Sequence, residues 1–96
     1  MKQVYKIVYP TGKIYIGKDS VGSYRYFGSP DIEVVNADFL NLPEAARKHY
    51  CVFKEILWEK EDATEEELSS QEIFFIRKHS SNNPEIGYNR FPRYKN

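Results

Sequence analysis

The chain has 96 residues, fourteen Lys and Arg against fourteen Asp and Glu, a single cysteine, and aromatics at 16%. That is one small domain with enough apolar bulk to fold, which excludes a disordered tail, and the zero net charge argues against a strong nonspecific polyanion binder. No run approaches the roughly 18 apolar residues of a membrane span, the start lacks a signal-peptide core, and a lone Cys51 excludes an internal disulfide, so the expected compartment is the cytoplasm, with no membrane partner.

In chain order, two runs rich in aromatic and β-branched residues, Val4-Tyr5-Lys6-Ile7-Val8-Tyr9 and Lys13-Ile14-Tyr15-Ile16-Gly17, flank Pro10-Thr11-Gly12. This is a hairpin pattern: Pro10 presets φ for a type I turn and Gly12 supplies the left-handed residue of a bulge. Pairing Tyr9 with Lys13 sets Ile7 opposite Tyr15 and Tyr5 opposite Gly17. Tyr5 and Tyr15 then share a face as diagonal neighbours, about 7–8 Å apart at their bases. Gly17 leaves space across from Tyr5. Two phenols and the Lys13 ammonium beside a gap read as a site; the plain alternative is a pair of half-buried strand tyrosines, which strands favour.

Residues 18–29, punctuated by glycine and serine, read as a loop. Ser29-Pro30-Asp31 reads as a helix start, with Ser29 as the cap, and a short helix over 30–37 turns Ile32, Val35 and Phe39 inward. Pro43 to His49 reads as a second short helix. Val52 to Trp58 is a third strand with Phe53 and Leu57 on one face and Val52, Ile56 and Trp58 on the other. Cys51, just before it, is expected as a buried small hydrophobe. Thr64-Glu65-Glu66-Glu67 is a capping box that opens a helix running to about Lys78. Asn82-Asn83-Pro84 ends the regular structure. Strands and helices in this order imply the α+β class, a small antiparallel sheet with helices packed on it.

Glu72 stands apart from the other acids. Leu68, Phe75, Ile76 and His79 fall on its side of the helix, so its carboxylate points with the apolar stripe and must be paired or bind something. A buried salt bridge and a metal ligand both satisfy that demand. His49 and His79 do not form a metal pair by spacing and are read as structural. Charge is uneven: Lys2, Lys6, Lys13, Lys18 and Arg25 near the start, and Arg90, Arg93 and Lys95 near the end, face few acids. A basic face built from the two ends keeps nucleic acid open as a partner.

The hairpin resembles the paired signature of the GIY-YIG nuclease family, written here as Gln3-Val4-Tyr5 and Tyr15-Ile16-Gly17, with Gln3-Val4 where the family name has Gly-Ile. Glu72-Ile73-Phe74-Phe75-Ile76 resembles the family's metal-binding helix motif and Gly87-Tyr88-Asn89 its closing motif, so the resemblance covers nearly the whole chain. It implies a three-stranded antiparallel sheet flanked by helices, DNA as substrate, and hydrolysis of a phosphodiester with one Mg²⁺ or Mn²⁺ on Glu72. By the same resemblance Tyr5 activates the attacking water and Tyr15 helps orient it, with Lys13 or Lys18 lowering a phenol that is otherwise a poor base. Arg25, ten residues past Tyr15, is implied as the phosphate clamp. It stands here in an apparent loop where the family has a helix, and Arg47 is the alternative. Lys13, Gly17, Lys18, Tyr26 and Asn89 make up the implied substrate-binding set. Specificity would come from loops, self-association or a partner protein. Two rival expectations stand beside this one: a nucleic-acid-binding module on the same fold without turnover, and a small protein-interaction domain.

Overall fold

A computed structural model describes residues 1–95. The fold is α+β: strands β1 (Lys2–Val8), β2 (Ile14–Asp19) and β3 (Phe53–Lys60) form an antiparallel sheet in the order β2-β1-β3, with helices α1 (Ile32–Leu40) and α2 (Glu65–His79) outside it. Among the described residues no helix is long and apolar enough to cross a membrane.

The hairpin forms in the register that its turn dictates. The Tyr9 N–H donates to the Lys13 carbonyl at 3.0 Å and the Gly12 N–H to the Tyr9 carbonyl at 2.9 Å. Gly12 takes φ 85°, a conformation that any Cβ would strain. Tyr5 pairs with Gly17 and Ile7 with Tyr15.

β1 is central and its alternation splits the core in two. Tyr5, Ile7 and Tyr9 point to one side, where they meet Val35 of α1 and Tyr88. Val4, with Ile16 of β2, points to the other, against Leu68 and Ile76 of α2. β3 departs from the expected alternation. Val4 pairs with Trp58 but Tyr5 with Ile56, so Leu57 is an extra, unmatched residue. Beyond this bulge the faces exchange: Leu57 and Trp58 both pack toward α2, Ile56 and Val52 pack on the other side, and Phe53 is exposed. A strict two-residue period cannot anticipate such an insertion.

α2 begins at the expected Thr64 cap, whose Oγ1 accepts from the Glu67 N–H at 3.0 Å, while the Glu67 carboxylate takes the Lys60 ammonium in place of the reciprocal bond of a capping box, and Ser80 closes the helix in the left-handed region. α1 starts later than expected. The Asp31 carboxylate, not the Ser29 hydroxyl, accepts from the N–H groups of Glu33 and Val34, because an anion is the stronger cap for the positive helix end. The shift leaves Ile32 exposed and only Val35 buried. The second short helix contracts to one 3₁₀ turn, Ala46–Lys48, without a side-chain cap. Cys51 is exposed, since it lies ahead of β3 and outside the sheet.

The chain after α2 returns to the sheet. The Ile14 N–H donates to the Ile86 carbonyl and the Tyr88 N–H to the Ile14 carbonyl, a short parallel bridge along the outer edge of β2. Asn89 continues it with its side chain: the Ile16 N–H donates to Oδ1 at 2.8 Å, and Nδ2 donates to the Ile16 carbonyl at 2.7 Å. One carboxamide thus replaces a residue of strand.

Candidate active site

Where the edge of β2, α2 and the returning tail meet, they leave a cleft of about 440 Å³ whose polar lining includes Tyr15, Asp31, Glu72, Asn89 and Arg90. Each wall has a local cause. Tyr15 projects from β2, Glu72 from the apolar stripe of α2, Asp31 from the cap of α1, and Asn89 and Arg90 from the segment that Asn89 fastens to β2.

Glu72 is half-buried between Leu68 and Ile76, which are themselves buried. Burial pushes its carboxyl above the usual range, and the Lys18 ammonium only partly offsets this. Lys18 itself donates to the Ser69 hydroxyl at 2.8 Å. Among the described residues no cation lies within ion-pairing distance of Glu72. The salt bridge open to it in sequence is therefore absent. A lone carboxylate among waters and a ligand's oxygens fits Mg²⁺, which keeps most of its hydration shell. Among the described residues no group of three or more His, Cys, Asp and Glu side chains is placed to hold a metal ion, at Glu72 or elsewhere.

Tyr15 is half-buried beside Glu72. Burial, the Glu72 charge and Tyr26 hold its phenol above the ordinary tyrosine range, while the Ser29 backbone N–H pulls the other way. It is a hydrogen-bond donor at neutral pH, not a base.

Tyr5 lies deeper, at 1% exposure, and outside the cleft lining. The space that Gly17 leaves is filled by the Tyr5 phenol, so that a Cβ on Gly17 would overlap its hydroxyl; one on Gly28 would stand 2.6 Å from the same oxygen. Burial pushes its pKa up strongly, and Tyr15, Tyr26, Asp19 and Glu72 add to the rise. The Tyr26 ring meets it edge-on at 6.0 Å.

The loop over Tyr5 spans residues 20–29 and is tied down by two groups that carry no local signal in the sequence. Lys54 of β3 stands 4.6 Å over the Tyr5 ring and donates to the carbonyls of Ser23 and Tyr26. The Asp19 carboxylate accepts from the N–H groups of Val21 and Ser23, each at 2.8 Å. Burial raises the Asp19 pKa, but those donors and the Gly22 N–H outweigh it and hold it below the ordinary value.

Tyr15, Glu72 and Asn89 are therefore brought together, with Lys18 and Tyr26 alongside. Lys13 is not: its ammonium pairs with Asp38 at 3.0 Å and lies over Tyr88. Arg25 and Arg47 are exposed and line no part of the cleft. The arginine that does is Arg90, ion-paired with Asp31. A basic residue directly after Tyr88-Asn89 was the available signal for it. Asn89 has both ends of its amide committed to Ile16, so it holds the site's frame.

Comparison with protein-family models, with curated proteins and with solved structures finds no match for this chain.

Proposed function

We propose that the protein is a metal-dependent phosphodiesterase of the GIY-YIG kind that cuts DNA at the cleft between β2 and α2. The observation that carries this reading is the half-buried, unpaired Glu72 carboxylate facing the same cleft as Tyr15 and Arg90. Glu72 would hold one Mg²⁺ or Mn²⁺, which when bound supplies Lewis-acid neutralisation of phosphate charge. Tyr15, kept protonated by its surroundings, donates a hydrogen bond that orients the attacking water or a phosphoryl oxygen. Arg90 clamps the phosphate with the guanidinium donors that Asp31 leaves free. Tyr5, buried and outside the cleft lining, and Arg25, exposed and outside it, have no part in this reading.

A second reading is a nucleic-acid-binding module without turnover. It is favoured by the buried Tyr5 hydroxyl and by Arg25 standing outside the cleft. Supercoiled-plasmid nicking with Mg²⁺, Mn²⁺ or EDTA separates the two. The nuclease reading expects metal-dependent nicking that Glu72→Ala abolishes and Tyr15→Phe slows by about 10²-fold or more. It also expects Mg²⁺ to raise the thermal midpoint of the parent chain and not that of Glu72→Gln. Clean protein that binds DNA but never nicks it selects the second reading.

A further inference from the structure

A second hollow, of about 390 Å³, lies at the C-terminal end of α2 and is lined by Arg77, Ser80, Asn82, Arg93, Tyr94 and Lys95. Its walls are held: α2 ends on Ser80, and Asn82 Nδ2 donates to the Pro92 carbonyl at 2.7 Å, fixing the tail against the helix end. Three full positive charges converge on it, and among the described residues no carboxylate lines it. Among the described residues neither Arg77 nor Arg93, nor the neighbouring Lys78, is in an ion pair, although the chain has as many acids as bases to offer.

Basic residues in a helix's last turn commonly answer the helix dipole. That end carries only about half an elementary negative charge. Arg77 and Lys78 on α2 already exceed it, so Arg93 and Lys95, brought in by the tail, are surplus. A concave site with surplus guanidinium groups and no acid is built for an oxyanion, and the planar fork of arginine suits phosphate.

The hollow and the cleft draw on the same two segments, the end of α2 and the tail after it, without sharing a lining residue. Ile76 and Phe91 line the cleft, while Arg77 and Arg93, one and two positions further along the same segments, line the hollow. We propose that this pocket binds a backbone phosphate of the nucleic-acid strand whose scissile phosphate occupies the cleft, and so sets the strand's direction across α2. The proposal rests on the nucleic-acid reading of the cleft. Contacts of this type position a strand without reading its bases.

The test is anisotropy of a labelled oligothymidylate with the full chain in EDTA, across a salt series, beside Arg77→Gln/Arg93→Gln. The pair Arg47→Gln/Lys48→Gln removes the same charge elsewhere, and thermal melts confirm that each variant folds. Losing the one phosphate held by the pocket lowers the single-strand salt slope by about 0.7 and weakens binding tenfold or more. The Arg47/Lys48 pair should lose far less, and Arg77→Lys/Arg93→Lys should recover the slope while remaining weaker than the parent. Inorganic phosphate should shift the Nε–H signals of Arg77 and Arg93 weakly, and a longer oligonucleotide strongly. Unchanged affinity and slope in the Arg77/Arg93 variant, equal loss in the two pairs, or no binding by the parent chain overturns the proposal. Nicking by the parent with unaltered binding in the variant removes the pocket alone. Binding lost in the variant of a chain that never nicks removes the nuclease and keeps the pocket.

Discussion

On one face of the sheet, Leu68 and Ile76 of α2 meet Val4 and Ile16 in an aliphatic layer. On the other, the phenol of Tyr5 is roofed by loop 20–29, which has no repeating structure of its own. The helix is held by burial, which is non-directional and spread over many atoms. The loop is held by points: the Lys54 ammonium on two carbonyls and the Asp19 carboxylate on two N–H groups. A cover fixed by a few polar ties can open as a local unit while the sheet and α2 stay intact. The same domain thus carries a wall held by burial on one side of its central strand and a wall held by polar ties on the other.

The largest effect that tests this contrast is on the helix side. Leu68→Ala removes a fully buried side chain and is expected to cost about 3 kcal/mol, read as a lower urea midpoint in a single transition common to all probes. A loss confined to α2 amides would break the contrast. Gly17→Ala should cost about 2 kcal/mol by overpacking, because the new methyl needs the space of the Tyr5 hydroxyl. Its mark is faster nitration of Tyr5, read by peptide mapping; a tyrosine that remains protected would mean the loop is as rigid as the helix. Lys54→Met should be smallest, about 1 kcal/mol or less globally. It should speed hydrogen exchange at the Val21 and Ser23 amides and leave the β1 and α2 amides unchanged. Uniform acceleration across the domain would show that the loop does not open alone.

What the sequence disclosed divides along the same line. The hairpin register followed from Pro10 and Gly12, and α2 from the box of Thr64 and Glu67, because those signals act between residues a few positions apart. The placement of Glu72 on the buried stripe was legible for the same reason, through a 3.6-residue period. The bulge at Leu57 was not, since it depends on how β3 registers with a strand some fifty residues earlier. Nor was the burial of Tyr5, which needs Gly28 and Lys54, from separate segments, to close over one ring. The space expected opposite Tyr5 at Gly17 is not a gap, because the facing phenol itself occupies it, a matter of side-chain direction. Asn89 drew notice as a substrate ligand through resemblance. Its grip on Ile16, across 73 positions, is a tertiary fact with no local trace.

That grip has a consequence in time. The outer edge of β2 is completed by residues synthesised about seventy positions later. At roughly 5–20 residues per second, a nascent chain carries the hairpin for about 4–15 seconds before its edge can be sealed. During that interval the backbone groups of Ile14 and Ile16 offer themselves to any passing strand. Lys13 and Lys18, placed at either end of the exposed stretch, repel a second copy of it. Whatever they contribute to the finished domain, these two lysines set like charge at both ends of the stretch that stays open until the tail arrives.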